Sequence, residues 1–196
     1  MATTRPNRNI ADFKGKLVGG GARPNLFEVQ MARLPDGISW DADVFQFMCK
    51  AATLPASTIA NIDVPFRGRI FKVAGDRTVD VWSITVINDE DFRLRNAFEE
   101  WMDRIAKLDN NLGATSPEAY MVDAEVFQLG RGSTKASTSS DGTDNTVLKQ
   151  YKFQSIFPTS LSAIDLSYDT GDTIEEFTVE FQVQSFEFNG AGGANG

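Results

Sequence analysis

The chain has no histidine and a single cysteine among its 196 residues. The first absence removes Ser-His-Asp and Cys-His nucleophile systems, histidine acid–base chemistry and histidine metal ligation together. The second removes any intramolecular disulfide and any thiolate zinc cluster. No run approaches the ~18 consecutive apolar residues of a membrane-spanning helix, and the amino terminus has no hydrophobic signal core. The sequence therefore reads as a soluble chain made in a cytoplasm. Basic charge is scarce outside one end. Arg5, Arg8, Lys14, Lys16 and Arg23 against Asp12 give residues 1–23 a net +4, which leaves −12 on the remainder of a chain whose total is −8. An acidic body of that size repels phosphate backbones and argues against tight, non-specific nucleic-acid binding. The basic arm suits either docking on an acidic neighbour or a solvated, flexible tail.

What is present is an aromatic core. Hydrophobic residues make up 41% of the chain, and fifteen phenylalanines stand against three tyrosines and three tryptophans. Residues 1–22 read as a flexible basic arm that ends in the Gly19-Gly20-Gly21 joint, and a first strand is expected over 23–31 with Pro24 at its mouth. Residues 43–51 alternate, with Phe45, Phe47, Cys49 and Ala51 on one face, and predict a strand with Cys49 in the core. Residues 58–74 read as two extended stretches around the turn Phe66-Arg67-Gly68-Arg69, where the glycine supplies positive φ. Val79–Ile87 is β-branched, aromatic and apolar on both faces, as in a covered central strand.

One helix is expected over about 89–109. Asn88-Asp89-Glu90-Asp91 supplies its cap and acidic first turn, and Leu94, Phe98, Trp101, Met102, Ile105 and Leu108 form its apolar stripe. Strands are expected over 119–128, 147–157, 161–168 and 174–187. In the second of these stretches, Tyr151, Phe153 and Phe157 face one way, with Gln150, Lys152 and Gln154 opposite. In the last, Phe177, Val179, Phe181 and Val183 alternate with Glu176, Thr178, Glu180, Gln182 and Gln184. Residues 130–146 hold eight Ser/Thr and three Gly and read as a mobile loop, and 189–196 as a flexible glycine-rich end. Many strands, one helix and no regular βα alternation predict a mainly β protein, an antiparallel barrel or sandwich over 23–188 with one flanking helix.

The catalytic signatures fail one by one. Gly130-Arg131-Gly132-Ser133-Thr134-Lys135 has lysine where a dinucleotide loop needs its third glycine, and it opens no helix. Asp141-Gly142-Thr143-Asp144 and Asp169-Thr170-Gly171-Asp172 lack calcium-loop spacing and its terminal glutamate, which leaves adventitious calcium at most. The acid pairs Glu90/Asp91, Glu99/Glu100 and Glu175/Glu176 read as caps and solvated faces, not as two carboxylates across a glycosidase cleft. No catalytic, cofactor or metal residue is assigned, and no enzyme is expected. A monomeric β-barrel binding module remains an alternative, although its aromatics lie on core-facing parity.

Several runs, taken in order, resemble the tail tube proteins of contractile-tailed bacteriophages. They are Ala22–Val29, Cys49–Ala56, Lys72–Trp82 followed by Val86–Glu90, then Ile156-Phe157-Pro158-Thr159 and Glu175–Val179. The resemblance runs from about residue 22 to 188. The basic arm and the 130–146 loop depart from it. It implies a virion structural protein, assembled in the host bacterial cytoplasm as hexameric rings that stack into a hollow inner tail tube. Phage DNA would pass through that tube without specific binding. It further implies sheath, baseplate, tape-measure and tail-terminator proteins as partners, with no cofactor and no membrane binding. The inner tube of a contractile injection or secretion device, carrying no DNA, is the alternative within this resemblance. Under the same reading, the hairpin tip Phe66, Arg67, Gly68 and Arg69 is the candidate contact with a neighbouring subunit, its arginines pairing with acids there. Glu176 and Glu180 are candidate lumen-facing acids that keep the DNA backbone from adhering.

Overall fold

The computed structural model describes residues 10–17, 21–110, 112–131 and 147–190. Its elements are α1 (Ile10–Lys16), β1 (Phe27–Gln30), α2 (Ala42–Met48), β2 (Cys49–Ala52), β3 (Ser57–Phe66), β4 (Arg69–Val79) and β5 (Trp82–Ile87), then α3 (Arg93–Ile105), β6 (Val122–Leu129), β7 (Val147–Leu161), β8 (Glu176–Gln182) and β9 (Ser185–Gly190). Seven strands pair antiparallel in the order β1-β6-β7-β8-β5-β2, with β9 also on β7, while β3 and β4 form a separate two-stranded sheet. The expected mainly β architecture is therefore present, with α3 as the expected flanking helix and α2 as a second helix packed on the core. Among the described residues no pairing joins β1 to β2, so the sheet folds over as a sandwich without closing into a barrel.

The fold-over happens inside β7. Its first part pairs with β6 and β9, and Phe157–Leu161 pair with β8. Between them, Ala124 faces Phe153 but Val122 faces Ile156, so β7 carries one extra residue. Ser155 takes a left-handed φ of 54° there, and its N–H donates to Asp123 Oδ1 at 3.0 Å. A bulge of this kind bends a strand and reverses which residues face inward beyond it. Phe153 and Ile156 are buried in consequence, while Phe157 is only half-buried and meets Tyr120 edge-on at 5.8 Å. The shared face expected for Tyr151, Phe153 and Phe157 breaks at this point.

The core lies between the two layers. Trp82 stacks on Phe153 at 4.4 Å and touches Phe181 at 5.2 Å. Phe98 and Trp101 of α3 approach the same Phe181 at 6.1 and 5.9 Å, and Trp40 and Phe45 pack on Phe98. Each tryptophan N–H finds a carbonyl: Trp40 that of Met31, Trp82 that of Thr53 and Trp101 that of Tyr120, at 2.7, 2.9 and 2.7 Å. Satisfied indoles let these large rings be buried without an orphaned donor.

Four local expectations are corrected. Residues 42–48 form a helix, not a strand, because Asp41 Oδ1 accepts from the Val44 N–H at 3.1 Å and caps it. Phe45 and Cys49, four residues apart, are buried and Phe47 is 82% exposed, which is helical spacing. The long helix is shorter than expected at both ends. Phe92 in the left-handed region starts it, Asp89 Oδ1 accepts from the Arg93 N–H, and Leu108 lies beyond it at 98% exposure. Residues 162–168 form no strand; a turn-rich loop runs to β8. The last strand is interrupted at Val183-Gln184, so that β8 pairs with β5 and β7 while β9 returns along β7. The inward alternation of Phe177, Val179, Phe181 and Val183 is observed. Residues 10–16 of the basic arm are helical. The rest of residues 1–20 apart from Leu17, residues 132–146 of the Ser/Thr-rich loop and residues 191–196 lie outside the described residues.

The bend at Ser155 yields a direct test. A left-handed backbone costs an ordinary L residue ~1–2 kcal/mol and a β-branched one more. Ser155→Gly should stay within about 1 kcal/mol of the parent in urea unfolding, whereas Ser155→Val should lose ~1–3 kcal/mol. Equal losses for both would show that the bend does not depend on that backbone conformation.

Candidate assembly surfaces

The β3–β4 hairpin stands off the body. Every residue of β3 is exposed, and so is nearly all of β4. Its turn consists of Arg67 and Gly68, both at positive φ (47° and 80°), between the paired Phe66 and Arg69. Positive φ at both central positions is the geometry whose twist matches two antiparallel strands. The four residues expected at the tip are thus together at the tip. The Arg67 guanidinium lies 5.4 Å over the Phe66 ring. At the base, Arg77 donates to Ser57 Oγ from Nε at 3.0 Å and lies 5.3 Å over the Phe186 ring of β9, which ties the hairpin to the body.

The register sorts the hairpin into two unlike faces. Ile62 opposes Val73, Val64 opposes Phe71 and Phe66 opposes Arg69, so one face carries five apolar side chains that are each 42 to 66% exposed. The other face is mixed: it carries Asn61 opposite Ala74, Asp63 opposite Lys72 and, beside the turn, Pro65 opposite the exposed Ile70. Its ion pair, Lys72–Asp63 at 3.8 Å, is open to solvent and contributes little. A two-stranded hairpin is marginal by itself in water, and monomers rarely expose an apolar strip of this kind. Pairing Ile62 with Val73 and Val64 with Phe71 takes the register, which the turn residues alone do not supply.

The two acids of β8 occupy a different surface. Glu176 and Glu180 are both exposed on the outward face of β8, opposite Ile87 and Ser83 of β5, and Thr178 lies between them with its hydroxyl 3.4 Å from that of Thr85. Glu176 is ion-paired with Lys50, two strands away. Among the described residues no ion pair reaches Glu180. The structure brings these acids together on one face and holds them apart from the hairpin, which belongs to the other sheet.

Two further surfaces escaped sequence reasoning. The loop after β7 exposes Leu166, Tyr168 and Ile174, where a strand had been expected. A groove of about 860 Å³ runs between α3 and the end of β7, with an apolar floor that includes Met102, Ile105, Phe157 and Leu161. Helix and strand are 50 residues apart in sequence, so no local pattern announces the groove.

Cys49 is buried, and burial pushes its thiol up from 9.0 to about 12, because the thiolate would lose its hydration. Stability tied to this group is present below the ordinary thiol range and declines as pH climbs from about 9 towards 12, where only the unfolded chain ionises freely.

Residues 22–189 match the phage tail tube protein family. The tail tube protein gp19 of Enterobacteria phage T4 is 34% identical over 169 residues, which cover 86% of this chain and 93% of that one. Among solved structures, a chain of the anti-feeding prophage baseplate superposes with a TM-score of 0.62 at 11% identity, covering 88% of this chain and 97% of that one. A chain of the sheath–tube complex of an extracellular contractile injection system (PVC), in its extended state, gives 0.54 at 14% identity, covering 94% and 99%. At such identities these two likenesses speak for the fold alone.

Burial of the thiol can be tested by its reactivity. At pH 8 the native chain should react with iodoacetamide at Cys49 roughly 100-fold or more slowly than the urea-unfolded chain. Rapid native labelling would show that Cys49 is not held in the core.

Proposed function

The chain belongs to the phage tail tube protein family and has a structural role in the tail tube, and from that premise we propose how it performs it. Copies close into hexameric rings, the rings stack into a hollow polymer, and phage DNA passes through without specific binding. The protein resides in the virion tail after assembly in the host cytoplasm. Sheath, baseplate, tape-measure and terminator proteins are its neighbours, and it catalyses no reaction. Identity of 34% to a phage tail tube protein, against 11–14% to the superposed chains of contractile injection devices, favours DNA over another cargo.

The observation that carries this reading is the apolar face of the hairpin. A surface that meets a different surface on the next copy gives a heterologous contact, which closes rings or propagates as a stack. Covering five side chains that are each about half exposed is worth on the order of 5 kcal/mol, enough to drive association when repeated around a ring. Phe66, Arg67, Gly68 and Arg69 lead this contact, and Arg67 and Arg69 pair with carboxylates of the neighbour. The outward face of β8 lines the channel in the same reading, where Glu176 and Glu180 repel the DNA backbone. Lys50 offsets Glu176 locally, so Glu180 carries most of that repulsion.

Negative-stain microscopy with light scattering over a concentration series tests the assembly. The parent chain should give rings or tubes of uniform diameter, alone or with an initiating baseplate complex. Phe66→Ser with Phe71→Ser should raise the concentration needed at least ~10-fold while leaving the urea midpoint of the body unchanged, since both side chains are exposed. Unaltered assembly by that variant would remove the hairpin from the contact. For the lumen, virions carrying Glu176→Gln and Glu180→Gln should eject DNA more slowly and with an altered salt dependence. Identical ejection in parent and variant would place β8 elsewhere on the tube.

A further inference from the structure

The helix α1 lies before the residues that match the family, so the family reading leaves it unexplained. Its pattern is nonetheless specific. Ile10, Phe13 and Leu17 stand at helical positions i, i+3 and i+7 and form one stripe, with Lys14 and Lys16 beside it. The Leu17 N–H donates to the Phe13 carbonyl at 3.0 Å, so helical geometry continues through the last residue of the stripe. All three side chains are exposed, at 81, 62 and 44%. Among the described residues nothing covers this stripe.

The groove between α3 and β7 is its complement. It is open, its floor is apolar, and Leu108 at its lip is 98% exposed. Three carboxylates on α3 border it, from Glu99, Glu100 and Asp103. Arg95 engages Glu99 at 2.7 Å, while among the described residues no ion pair reaches Glu100 or Asp103. A helix presenting anchors at i, i+3 and i+7 is a recurrent occupant of an apolar groove, and a lysine at either edge of the stripe puts a positive charge against the unpaired acids of the α3 rim whichever way α1 runs. The hairpin is a poorer occupant, because its five apolar side chains spread over two strands as a flat face.

We propose that α1 of one copy docks in the α3–β7 groove of a neighbouring copy, as a basic strap between subunits. The proposal rests on the tube reading for its supply of neighbours. Ile10, Phe13 and Leu17 fill the groove, and the lysine on the α3 side of the stripe, Lys14 or Lys16 according to the direction of α1, faces Glu100 and Asp103. Docking in trans follows from the exposure of the stripe on its own chain.

The chain's single, buried thiol makes the test clean. Full-length Gly15→Cys and full-length Leu108→Cys are mixed, assembled and treated at neutral pH with a flexible bismaleimide. A side chain at Gly15 meets nothing within 4 Å, on the side of α1 away from the stripe, so the anchor survives. Dimer linked between the two variants should exceed, by about ten-fold, that of Gly15→Cys mixed with Tyr168→Cys, a fully exposed control on the 162–175 loop. Adding Phe13→Ser to Gly15→Cys, or Glu100→Lys with Asp103→Lys to Leu108→Cys, should bring the yield down to that control. Several results would overturn the proposal: control-level cross-linking in well-formed tubes, a yield indifferent to Phe13→Ser, or linkage within one chain carrying both cysteines. Stronger linkage of Leu108→Cys to Phe66→Cys would do the same by giving the groove to the hairpin. Tubes that form without the cross-link defeat the strap alone, whereas failure of the parent chain to assemble even with an initiating complex defeats the tube reading beneath it.

Discussion

Ser155 holds the molecule in its two layers. Its N–H is bound by the Asp123 carboxylate and its backbone takes a left-handed turn, so one long strand leaves the β6–β9 layer and enters the β8–β5–β2 layer without a break in the chain. Everything that packs between the layers depends on that step. Trp82 comes from one layer and Phe153 from the other, and their stacked rings meet because the strand bends just beyond Phe153. Helix α3 then packs Phe98 and Trp101 on Phe181.

Burial is distributed unevenly as a result. The aromatic side chains of β5, β7, β8, α2 and α3 pack on one another in a single cluster, whereas Ile62, Val64, Phe66, Phe71 and Val73 of the hairpin stay exposed among the described residues. The core of the body is closed by its own side chains, while the hairpin leaves an apolar face open. Such a division suits a subunit that folds first and assembles afterwards, since association needs no rearrangement of the core.

Much of this was readable before any coordinates. The hairpin tip, the inward alternation of β8 and the apolar stripe of α3 each arise from a local period or a turn dipeptide, and such signals survive in sequence. The errors occurred where a single side chain outside the period decided the outcome. Asp41 turned the alternating 43–48 stretch into a helix by capping it. Asp123, 32 residues away, set the bulge that moved Ile156 inward and Phe157 out. Phe92, left-handed without being glycine, delayed the start of α3. As for the surfaces, the residue types at 66–69, 176 and 180 were visible, but the apolar hairpin face needed a register. The α3–β7 groove needed a tertiary contact between segments with no common pattern.

The lone thiol has a last consequence. A chain with one cysteine, sunk in its core and protonated far beyond neutral pH, offers oxidants no accessible thiolate and no partner for a bridge. Its disulfide state is therefore the same in glutathione-rich and in aerated surroundings. A particle built from such subunits needs no oxidative maturation to harden and has no cross-link to lose on reduction.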